Sequence, residues 1–251
     1  MNKRLRKISV FALLSLVLLV FIGFVEKKSA ERRLSVIEVK IKSVADVYFV
    51  EEKEILDVVR AEFPNLQEGT LFGEINLAKI EHKVESHPFV KNAEVFGDVK
   101  GNIVIEIQQH VPMARIVRPM AADAYISTEG LILPTSPKYT TRVLLLSGNY
   151  AEKLMQLKDI NTENPGLLEL IRFIQEDEFW KAQITELEIQ RKRDIKLHQQ
   201  VGRQVIEFGD ASDISEKFEK VSLFYEEILP KKGWNTYQRV NVKYKDQIVC
   251  E

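Results

Sequence analysis

Residues 8–25, from Ile8 to Val25, form an uncharged run, ISVFALLSLVLLVFIGFV. Its 18 residues rise about 27 Å as a helix, close to the thickness of a bilayer core. The pattern predicts a transmembrane helix behind a short tail, residues 1–7, and ahead of a charged linker, residues 26–33. A cleaved leader is the competing reading, but its apolar region is about 7–15 residues long and needs small residues before the cut. The one candidate, Lys28-Ser29-Ala30, puts a lysine where a small residue is wanted. Retention as an anchor is therefore expected. Flanking charge leaves the orientation open, because Lys3, Arg4, Arg6 and Lys7 precede the run while Lys27, Lys28, Arg32 and Arg33 follow it.

Beyond the linker the period of the apolar positions changes. Val36, Ile37, Val39, Ile41 and Val44 alternate loosely with polar residues and predict a strand over 34–44. Ile55, Leu56, Val58, Val59 and Phe63 recur at helical spacing over 51–63, with Glu51, Glu52 and Glu54 at the favourable end of the dipole and Pro64 as a stop. A second amphipathic helix, 75–87, presents Leu77, Ile80 and Val84 and ends before Pro88. Strands follow at 90–96 and 103–108, the latter alternating Ile103, Ile105 and Ile107 with polar or smaller neighbours. Strand, helix, helix, strand, strand over residues 34–109 predicts an α+β sheet with helices on one face.

From about His110 a different unit begins, expected over 110–251. The stretch 124–134 predicts strand, tight turn and strand, with Gly130 supplying the positive backbone angle. Asn164-Pro165 opens a helix whose broad apolar face holds Leu167, Leu168, Leu170, Ile171 and Ile174. Strands are predicted at 184–190, 194–199 and 204–208, and a helix over 212–229 with Ile214, Phe218, Val221, Phe224, Tyr225 and Ile228 on one stripe. Asp213 and Glu216 have the spacing of a capping box. The last prediction is one strand, in which Val240, Val242 and Tyr244 alternate with charged residues and which continues through Ile248, Val249 and Cys250.

Composition adds mainly exclusions. With 36 basic and 37 acidic residues the net charge is -1, so no broad positive field is available for nucleic acid. Cys250 is the one cysteine, which rules out a disulfide within the chain and a multi-thiolate metal site. The histidines His82, His87, His110 and His198 lack the i,i+4 spacing of a helical zinc site, and no nucleophile elbow, dinucleotide fingerprint or P-loop occurs. No catalytic residue, cofactor or small-molecule substrate is expected. The acidic clusters 51–54 and 176–178 are expected as solvated helix ends, Gln190-Arg191-Lys192-Arg193 as a charged hairpin tip with a contact patch for an acidic partner segment as the alternative, and Phe218, Phe224 and Tyr225 as core.

The residue patterns converge on a resemblance. The order of elements in 34–109, with His87-Pro88-Phe89-Val90-Lys91-Asn92-Ala93-Glu94-Val95 joining the second helix to the second strand and Val111-Pro112-Met113-Ala114 leaving the third, resembles a POTRA domain. An anchor, that unit, the turn Tyr125-Ile126-Ser127-Thr128-Glu129-Gly130-Leu131-Ile132-Leu133-Pro134 and the terminal Val240-Asn241-Val242-Lys243-Tyr244-Lys245-Asp246-Gln247-Ile248-Val249 together resemble the bacterial cell-division family FtsQ/DivIB. The terminal Lys-Asp-Gln departs from members that have small residues or glycine there. The resemblance implies a non-enzymatic, single-pass scaffold of the inner membrane at the division septum, with its N-terminus cytoplasmic and its body periplasmic. It implies partners of the FtsB/FtsL type, received by strand addition at the last β-strand, and places Val242, Tyr244, Lys245, Asp246, Gln247 and Val249 in that contact. Other division proteins are implied to dock on the POTRA-like unit. A POTRA-bearing chaperone or secretion module is the alternative; it calls for repeated units or a C-terminal barrel, and the sequence supplies neither.

Overall fold

The computed structural model describes residues 3–42 and 48–251, with backbone alone at residues 3–10 and Ser29. Residues 1–2 of the expected tail and 43–44 of the expected first strand lie outside the described residues. The uncharged run lies within one continuous helix, α1 (Lys3–Ala30). From Phe11 to Val25 its large apolar side chains are exposed on every side, Phe11 at 74% and Phe24 at 67%. Among the described residues no helix is long and apolar enough to cross a membrane.

In the first unit, residues 1–109, β1 (Ile37–Lys42), α2 (Glu52–Glu62), α3 (Leu77–Glu85), β2 (Val90–Gly97) and β3 (Ile103–Gln109) follow in the predicted order. The sheet order is β1-β3-β2, with β3 parallel to β1 and antiparallel to β2. On the face that the helices cover, Ile103, Ile105 and Ile107 of the alternating central strand are fully buried, while Glu106 and Gln108 on its other face are half-buried. Ile55 and Val59 of α2 and Ile80 and Val84 of α3 fill that face. Phe89 stacks on Phe49 at 4.6 Å between ring centres. The outer edge of β2 is partly capped, since Val95 N–H donates to Glu81 Oε2 at 3.0 Å. First-strand pairing begins later than expected, at Ile37, because Leu34 is instead tied to the 69–70 loop by Leu34 N to Thr70 O and Gly69 N to Leu34 O, both 2.8 Å.

The second unit, residues 110–251, contains β4 (Pro112–Ile116), β5 (Ala124–Ser127), β6 (Ile132–Pro134), β7 (Leu144–Ser147), α4 (Asn149–Leu154), α5 (Ile160–Glu163), α6 (Pro165–Glu176), α7 (Glu178–Gln183), β8 (Ile184–Arg191), β9 (Asp194–Gln199), β10 (Val205–Gly209), α8 (Ile214–Leu223), a π turn (Phe224–Ile228), α9 (Leu229–Lys232), β11 (Arg239–Asn241) and β12 (Val249–Cys250). Nine strands form one mixed sheet in the order β12-β11-β10-β9-β8-β7-β4-β5-β6. Fully buried Leu170, Ile171 and Ile174 of α6 belong to one core with Leu187, Leu197, Ile206 and Phe208 from the sheet and Phe218 and Phe224 from the last long helix. The expectation that Phe218, Phe224 and Tyr225 are core therefore agrees with their burial.

The helix predicted over 212–229 starts two residues later and carries a π turn before Pro230. Proline offers no N–H to the carbonyl four residues back and its ring crowds that carbonyl, so the wider turn absorbs the conflict. The expected capping box does not form: Asp213 sits at φ 48 with no side-chain cap, and Glu216 pairs with Lys220 at 2.8 Å. Capping is achieved instead at Asn164, which accepts from Leu167 N, and at Asp177, which accepts from Trp180 N.

The expected single strand is a hairpin: β11 ends at Asn241, residues 244–246 turn, and β12 returns antiparallel with Val240 opposite Cys250 and Asn241 opposite Val249. The turn uses Asp246 in the left-handed region at φ 57, a conformation that aspartate tolerates better than most residues.

Candidate functional site at the terminal sheet edge

β11 is held on its inner side by β10. Parallel pairing sets Val205 opposite Arg239 and Glu207 opposite Asn241, and the ladder closes with Val205 N to Gln238 O at 2.9 Å and Val242 N to Glu207 O at 3.1 Å. On its outer side β11 exchanges two main-chain bonds with the end of the hairpin, Arg239 N to Glu251 O and Glu251 N to Arg239 O, each 3.0 Å. Antiparallel ladders alternate, so the intervening pair Val240 and Cys250 is the non-hydrogen-bonded one. The Cys250 N–H and C=O consequently face away from β11, toward the outside of the sheet. Among the described residues no strand pairs with β12 on that side.

The opposite edge is closed. Leu131 bridges Asp159, Ile132 N donates to Lys158 O at 3.2 Å, and β6 ends in Pro134, which has no N–H to offer. Of the two edges of this sheet, β12 is the one presenting main-chain donor and acceptor outward.

Side chains around the edge follow from the hairpin. Val242 is fully buried in the core and donates its N–H inward, so the structure separates it from the other expected contact residues. Tyr244 (55% exposed), Lys245, Asp246 and Gln247 are brought together, exposed, on and beside the turn, and Val249 is exposed on β12. Ile248 and Cys250 point the other way and pack against the core. Burial pushes the Cys250 thiol pKa up, away from thiolate reactivity.

Residues outside the expected set hold this geometry. Glu207 Oε2 accepts from Lys243 Nζ at 2.9 Å and from Asn241 Nδ2 at 3.0 Å. The Lys243 hydrogen bond holds the Glu207 carboxyl below the usual carboxylate range, against partial burial and with help from the Lys243 and Arg239 charges. Lys220 Nζ reaches from α8 to the Tyr244 carbonyl at 2.9 Å. Gly209, at φ 83, leaves room for the Lys243 stem: a Cβ there would lie 2.6 Å from Lys243 Cγ. Nothing in hydrophobic periodicity marks Glu207 or Lys220, and the orientation of the Cys250 main chain depends on register. Gly209 ahead of a helix start was the one local signal available.

Elsewhere, polar groups serve the fold. His87 meets Glu54 at 3.3 Å, His110 meets Glu129 at 3.2 Å and His198 meets Glu188 at 3.0 Å. Among the described residues no group of three or more His, Cys, Asp or Glu side chains is arranged to hold a metal ion. The basic tip Arg191–Arg193 caps the β8–β9 hairpin, with Lys192 Nζ donating to Glu163 O at 3.0 Å.

A family model described as FtsQ/DivIB, C-terminal related, matches residues 111–251, more than half of the chain and all of the sheet just described. The chain belongs to that family. A POTRA-like domain model matches residues 33–108, the three-stranded unit. No curated protein matches the chain. FtsQ/DivIB membership associates it with cell division and with a non-enzymatic, scaffolding role.

Proposed function

We propose that the chain is a membrane-anchored scaffold of the bacterial division machinery that receives an extended segment of an FtsB/FtsL-type partner by strand addition along β12. The observation that carries this reading is the outward-facing Cys250 main chain at the open edge of a sheet whose other edge is covered. Backbone bonds from such an edge give affinity for any extended chain, and side chains beside it give selectivity. Tyr244, at 55% exposure on the turn, is the aromatic anchor, with Lys245, Asp246, Gln247 and Val249 flanking the added strand. Val242 contributes from within, as part of the core that supports β11.

The anchor is the run from Ile8 to Val25 within α1. Apolar side chains exposed around the whole helix from Phe11 to Val25 suit surrounding lipid far better than water. The tail lies in the cytoplasm and both folded units outside it, at the division site. The POTRA-like unit, whose β2 edge is only partly capped, docks further division proteins.

A binding titration of the full chain in detergent against the extracytoplasmic segments of an FtsB/FtsL pair tests the reading. Saturable binding is expected, and Tyr244→Glu should weaken it by about tenfold or more, the effect of losing an interfacial aromatic anchor. Absence of binding by the native chain would remove the proposal.

A further inference from the structure

The β11–β12 hairpin is too short to hold itself. Two Cα pairs and the Arg239–Glu251 exchange join its strands, and its turn needs a left-handed aspartate. What surrounds the turn is unusual for a surface loop. Lys220, whose side chain is only 12% exposed, donates to the Tyr244 carbonyl from 24 residues away while its own helix supplies Glu216 as counter-charge at 2.8 Å. From β10, Glu207 takes Lys243 and Asn241 on one carboxylate oxygen and receives Val242 N–H on its main-chain carbonyl. The Asn241 side chain in turn accepts Lys243 N–H at 3.0 Å. Two separate elements therefore converge on residues 241–244.

We infer that Lys220 and Glu207 form a latch that holds the terminal hairpin in register, and that the sheet edge is competent to receive a strand only while the latch is closed. This inference rests on the strand-addition reading. Neither residue sits on the outer side of β12, so both are positioning residues. Their contribution is to fix the Tyr244 carbonyl and the start of the turn before a partner arrives, which removes an ordering cost from binding. The i,i+4 pair between Lys220 and Glu216 alone would contribute little; the long-range bond to Tyr244 is what distinguishes a latch from helix decoration.

Amide hydrogen exchange of the full chain in detergent separates the latch from the partner. Lys220→Met keeps the apolar stem and removes the donor, whereas Lys220→Arg keeps a cation. In Lys220→Met the Val249 and Glu251 amides, which bond β11, should exchange about tenfold faster, the size of one charged hydrogen bond. Amides of β8 and β9 and the thermal midpoint should stay unchanged. Affinity for the FtsB/FtsL-type segment should fall by a similar factor, and Lys220→Arg should restore both. Unchanged exchange at Val249 and Glu251 overturns the latch whatever the partner does. Equal acceleration in β8 and β9 overturns it too, because Lys220 would then support the fold as a whole. A hairpin that loosens while affinity holds overturns the link to binding and shifts doubt to strand addition at β12.

Discussion

Val242→Pro is expected to destabilise the second unit by about 3 kcal/mol, combining about 1–3 kcal/mol for a buried carbonyl left unsatisfied with a similar cost for forcing the ring into a packed core. Val242 looks from its position like one more residue of a terminal strand, but its N–H donates inward to Glu207 O at 3.1 Å and its side chain is fully buried. Proline removes the donor, leaves the Glu207 carbonyl without its partner and forces the ring into a packed core. The thermal midpoint of the unit should drop by roughly 10 °C, read by circular dichroism or calorimetry. Partner binding should also fall, but only as a result of that unfolding. Val242→Ala, which keeps the bond, should show a smaller loss. A Val242→Pro protein as stable as the native chain would mean that β11 is not the supported inner strand described above.

Cys250→Pro is expected to do the reverse, sparing the fold and removing the interaction. The Cys250 N–H faces outward, so the substitution breaks no bond within the sheet, and proline is tolerated at edge positions of that kind. An incoming strand would meet a missing donor and a ring in its path. Leaving its carbonyl unpaired costs about 1–3 kcal/mol, so affinity should fall about 10-fold to 100-fold. Cys250→Ala controls for the lost thiol, which packs partly against the core; it keeps the N–H and should bind as the native chain does. The contrast between Val242 and Cys250 reverses the naive assignment, since the alternating valine supports the edge and the cysteine main chain is the edge.

Much of the fold was legible because its apolar periods are clean. Ile103, Ile105 and Ile107 on β3, Ile80 and Val84 on α3, and Leu167, Leu168, Leu170, Ile171 and Ile174 on α6 are all buried where their spacing put them. β4 and β7 were not legible: Pro112–Ile116 and Leu144–Ser147 are short interior strands, and runs such as PMARI and LLLS carry neither period. The candidate site was legible in place and misread in form. Val240, Val242 and Tyr244 continue a period-two pattern, but only the first two are buried, and the third sits on a turn at 55% exposure. Lys245-Asp246-Gln247 contains the residue that breaks the expected strand, Asp246 in the left-handed region at φ 57. Contacts of long range set the rest. Lys220 and Glu207 lie 24 and 36 residues from the Tyr244 and Lys243 groups they hold, and no local pattern encodes those distances.

Exchange of the Cys250 amide, measured in the free full chain and again with a saturating FtsB/FtsL-type segment, tests strand addition at this edge most directly. The account predicts fast exchange when free and slowing of at least about 100-fold in the complex, as expected for a donor newly paired in a ladder. A saturated complex in which Cys250 exchanges as it does in the free chain would contradict it and place the partner elsewhere on the sheet.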